Sequence, residues 1–71
     1  TECQPMRATA ARIARCTSVP ADMRAALERE VVVLGAAAQG ADKGSLPVVD
    51  GECKRAREKL LAIAQQVGCP P

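Results

Sequence analysis

Cys3, Cys16, Cys53 and Cys69 are the side chains with the widest chemistry open to them, because a sulfur can attack an electrophile, ligate a metal or pair with a second sulfur. Their spacing selects among these. A zinc site draws on closely spaced cysteines or on histidines, but here 12, 36 and 15 residues separate successive cysteines and the chain has no histidine. An even number of widely spaced cysteines in so short a chain points instead to disulfides and to an oxidising compartment.

Other chemistry finds little support. Without histidine the commonest general base is missing, and Thr1, Thr9, Thr17, Ser18 and Ser45 have no activating partner nearby in sequence. An N-terminal threonine can use its own amine as base, but the apparatus that would stabilise an oxyanion beside Thr1 is not recognisable. Glu28 and Glu30 fall on different helical faces, and Asp50 and Glu52 stand at a helix start, where acids suit the dipole. No catalytic residue, no metal site and no cofactor is expected, and the chain reads as a non-enzyme.

Composition narrows the class further. In 71 residues there is no Trp, Tyr or Phe, so the core must be aliphatic and thin. Burial and ordering entropy then nearly cancel, and two disulfides supply the deficit. A net charge of +2 without aromatic stacking platforms argues against nucleic acid. The longest apolar stretch, Val31 to Ala38, is interrupted by a glycine and is too short to span a membrane. The start Thr1-Glu2-Cys3 reads like that of a processed chain, so the expected location is periplasmic or secreted. The wealth of Ala, Arg, Gly and Pro, all with GC-rich codons, points to a high-GC bacterium.

Three helical segments would position the cysteines. Met6, Ala10, Ile13 and Thr17 recur at helical spacing and predict a first helix over 5–17. Pro20 opens a second over 20–39, whose buried stripe is Met23, Leu27, Val31, Leu34 and Ala38, with Arg24 and Glu28 as an i, i+4 pair and Gly40 as the stop. A loop over 40–45 carries two glycines, and the third helix follows over about 47–67. Its seam of Val49, Cys53, Ala56, Leu60, Ile63 and Val67 alternates spacings of four and three before Gly68 ends it.

The resulting fold class is a single all-α domain, an antiparallel three-helix bundle stapled by two disulfides, with the first and third helices parallel. The separations of 13 residues from Cys3 to Cys16 and 16 residues from Cys53 to Cys69 correspond to about 20 and 24 Å of helix, so that in this arrangement Cys3 comes beside Cys53 and Cys16 beside Cys69. Cys16 with Cys53 and Cys3 with Cys69 would suit a reversed first helix. Cys3 with Cys16 would need opposite ends of one helix to meet.

Two surfaces are candidates for partner binding. Ala25, Val32 and Ala36 point nearly opposite to the buried stripe of the second helix, and Leu61 lies off the seam of the third. Arg7, Arg12 and Arg15, joined by Arg55 and Lys59 within the basic run 54–59, would form a basic side. The expected function is an exported protein-binding module that engages another protein, as an inhibitor, immunity factor, adaptor or chaperone does, with a homodimer as a further form of the same contact. Carriage of a lipid or other apolar molecule is the first alternative. Against it, an alanine-rich seam is expected to bring helices close and leave little hollow. A secreted toxin or signalling polypeptide is the second alternative.

Overall fold

A computed structural model describes residues 1–70. Three helices, α1 (Cys3–Ala14), α2 (Ala21–Gly40) and α3 (Leu46–Val67), pack with every pair in contact, the most extensive contact being that of α1 with α3. The bundle is slender, with extents of 38 × 18 × 13 Å, so its interior is hardly deeper than one layer of side chains.

The disulfides join Cys3 to Cys53 and Cys16 to Cys69, with Cα separations of 4.9 and 5.5 Å. One tie therefore stands at each end of the α1–α3 pair, and α1 runs parallel to α3 as short connections between three helices predict. All four cysteines are buried and belong to the core, alongside Met6, Ile13, Val19, Leu27, Val31, Ala56, Leu60 and Ala64. Each loop spans 50 or 53 residues, which in the loop-entropy account is worth about 4 kcal/mol per bridge taken singly.

Helix ends explain where the observed elements depart from the expected ones. The first helix begins two residues earlier than predicted and stops at Ala14 rather than Thr17. Cys16 donates its N–H to the Ile13 carbonyl in a tighter turn, and Val19 donates to the Cys16 carbonyl. That turn swings the Cys16 sulfur toward Cys69 and buries Val19 completely, while Thr17 is exposed. Met23, expected on the buried stripe, is 45% exposed in the first turn of α2. Val67 is also exposed, in the last turn of α3.

Gly68 ends α3 at φ +72°, a conformation that glycine alone adopts without strain, and Cys69 N–H then returns to the Ala64 carbonyl. This reversal turns Cys69 back toward α1. Arg12 secures it from the other side, donating from Nη2 to the Cys69 carbonyl at 2.9 Å and from Nε to the Pro70 carbonyl at 2.8 Å.

Ser45 stands at the N-cap of α3, and Gly51 continues that helix without a break. The loop before it is organised by Asp42, whose Oδ1 accepts from Ser45 N–H, Gly44 N–H and the Ser45 hydroxyl. These bonds favour the carboxylate and hold Asp42 below its ordinary pKa, the Ser45 N–H having the largest effect.

At the same end of the bundle, Glu2 N–H donates to Asp50 at 2.7 Å and the Glu2 carboxylate pairs with Arg57 at 3.5 Å. The Lys59 ammonium meets Glu30 at 3.2 Å and links α3 to α2, though both groups are well exposed. Such a pair contributes little in water.

Candidate functional site

The α1–α2 contact does not close. A trough of about 480 Å³ runs between these helices, within the range of ligand-binding clefts. Its existence follows from residue sizes. Along α1 the residues facing α2 are Ala10, Ala11 and Ala14, whose methyl groups are too short to fill the space that Leu27 and Val31 leave across from them. Ile13 and Leu60 contribute deeper walls. The small residues expected to draw helices together instead leave a hollow, on a side of α1 that no disulfide draws toward α2.

Val32 and Ala36 line the outer edge of this trough and are exposed, Val32 at 63%. They do not stand on an unrelated back face: α1 lies to one side of the buried stripe, so the outer edge of α2 is shared with the trough. Ala25 is exposed and lies outside it. Leu61, at 40% exposure on α3, also lies elsewhere.

Two guanidinium groups cross the seam between the helices. Arg7, from α1, lies over the backbone of α2 at Gly35, so near that a Cβ added there would stand 2.6 Å from Nη2. Gly35 is buried for this reason, and glycine is what allows the approach. Arg24, from α2, reaches the other way and directs Nη1 at the Ala14 carbonyl, 3.4 Å distant. Its Nε is shut off from solvent and has no acceptor among the described residues. Neither arginine forms an ion pair among the described residues, and Glu28, one turn beyond Arg24 on the trough wall, is not within ion-pair distance of it.

The basic side is divided by these contacts. Arg7 turns toward α2 and away from α3, Arg12 is engaged with the C-terminal carbonyls, and Lys59 is paired with Glu30. Arg15 and Arg55 are exposed, the latter lying beside Gly51. What spacing alone did not reveal is Gly35 and the alanine row of α1. A glycine in mid-helix at a buried position was the available signal, since it is costly there unless something approaches closely.

Among the described residues there is no cluster of three or more potential metal ligands, and no helix is long and apolar enough to cross a membrane. The arrangement as a whole is an apolar channel, open along one side, with a cation near each end. It can bind, orient and shield an apolar surface from water. Compared with known families, curated proteins and solved structures, the chain matches none.

Proposed function

We propose that this chain is a non-catalytic, exported binding module whose α1–α2 trough receives an apolar helix of another protein. The observation that carries the reading is the trough itself: about 480 Å³ of aliphatic-lined space on a molecule too slender to need it for its own packing. Its openness favours a helix over an acyl chain. Val32, Ala36, Ala11 and Ala14 are exposed along its edges, so an alkyl chain lying there would stay partly wet, whereas a helix brings its own polar back. The two disulfides are compatible with an oxidising environment and support a periplasmic or secreted location.

A synthetic helical peptide with leucines on one face and neutral glutamine flanks tests the reading. Titrated into labelled protein, it should shift the amide signals of Ala10, Ala14, Val31 and Val32 with a dissociation constant below about 1 mM. Ala14→Trp, which fills the trough, should abolish those shifts. Absence of binding to the unaltered protein, or binding that leaves these residues unmoved, would overturn the proposal. Saturation of the same residues by a simple alkyl carboxylate in preference to the peptide would also overturn it, in favour of lipid carriage.

A further inference from the structure

The two unpaired guanidinium groups narrow the partner further, granted that the trough takes a helix as proposed above. We infer that the partner is an acidic amphipathic helix, with carboxylates about eleven residues apart bracketing the apolar face that enters the trough.

The spacing comes from the geometry of α2. Arg24 belongs to its second turn, and the Arg7 guanidinium rests on it at Gly35, eleven residues further along. At 1.5 Å per residue the two cations are roughly 16 Å apart along the groove. Eleven residues are also about three turns, so two acids at that interval fall on one side of a docked helix and meet both cations at once.

The cations are available. Arg7 has no hydrogen-bond or ion-pair partner among the described residues, and the Nε–H of Arg24 is shielded from water without an acceptor. Arg24 as a whole is only partly buried on the trough lining, so a partner's carboxylate can approach the guanidinium from the trough side, and guanidinium is the group best suited to a carboxylate in a partly dry setting. Glu28 sets a complementary limit, because its position on the wall disfavours a further acid opposite it.

A second copy of this chain does not fit the description. None of Glu2, Asp22, Glu28, Glu30, Asp42, Asp50, Glu52 and Glu58 has another acid eleven positions on, so no helix of the chain offers the bracketed pattern to its neighbour.

Three versions of the leucine-faced peptide, about 15 residues long, test the inference: glutamates eleven apart on one flank, lysines at the same positions, and the neutral glutamine form. Binding is read by fluorescence anisotropy at low and high salt. The glutamate peptide should bind about three- to ten-fold more tightly than the neutral one and the lysine peptide more weakly. The difference should shrink in high salt and vanish in the double variant Arg7→Gln, Arg24→Gln. Lys54→Gln, an exposed change away from the trough, should leave the ranking intact. Helicity of the double variant is checked by circular dichroism, and single variants replace it should it fail to fold. Equal binding of all three peptides would overturn the charge inference and leave the helix-binding reading standing. Binding of none would sink both, and self-association that blocks the trough would sink the choice of partner.

Discussion

Arg7 and Gly35 depend on one another, and the dependence separates stability from binding. Glycine inside a helix costs roughly 0.5–1 kcal/mol relative to alanine. At position 35 the atoms that an added methyl would meet are all in the Arg7 guanidinium, the far end of a flexible and exposed side chain that can swing away. Gly35→Ala should therefore raise stability by up to about 1 kcal/mol, seen as a higher melting temperature. It should also displace Arg7 and weaken the preference for an acid-flanked helix. A loss of stability would mean that the guanidinium is held in place more firmly than its contacts suggest. Arg12 presents the opposite case. Its guanidinium satisfies two carbonyls of the C-terminal segment, so Arg12→Gln should lower stability by about 1–2 kcal/mol in chemical denaturation, hydrogen bonds to a charged group being the stronger kind.

At the level of elements, the loop that joins α2 to α3 has its own pH response. Asp42 is held below its ordinary pKa by hydrogen bonds that only the carboxylate accepts fully, so the stabilisation is present above the unfolded value near 3.8 and is lost as pH falls through the lower, folded value. A titration of the Gly44 and Ser45 amide signals should thus show a midpoint below the usual aspartate range, and Asp42→Asn should remove the transition. Much of this level was legible from periodicity. The seam of α3 and the stripe of α2 predicted Cys53, Ala56, Leu60, Leu27 and Val31 as core, and helix rise together with an up-down-up topology matched the cysteine pairs. Element ends were not legible, because they answer to tertiary demands: Cys16 had to reach Cys69, so α1 stopped early and Val19 became core. The trough was hidden for a related reason. A pattern tells which residues face a neighbour but not how far away the neighbour stands, and that distance depends on where the cross-links fall.

For the molecule as a whole, the decisive number is the ratio of cross-links to core. Among the described residues, Met6, Ile13, Val19, Cys53 and Leu60 are the largest side chains shut off almost completely from solvent, a thin interior for a chain of this size. Reduction of both bridges should lower the melting temperature sharply or unfold the domain at ambient temperature, as followed by circular dichroism with and without reductant. A melt indifferent to reductant would show that aliphatic packing suffices by itself.

Both sulfur links tie the first helical segment to the last, and the second helix is joined to them covalently by its two connecting turns alone. A protease that cuts beside the exposed Lys43 would release nothing: the product would weigh one water more, travel as a single species, and fall into two pieces only under reducing conditions. Such a nicked form would keep its clamp of α1 and α3 while the far end of α2 came loose, which makes the exposed connection a place where the domain tolerates damage in a protease-rich setting without coming apart.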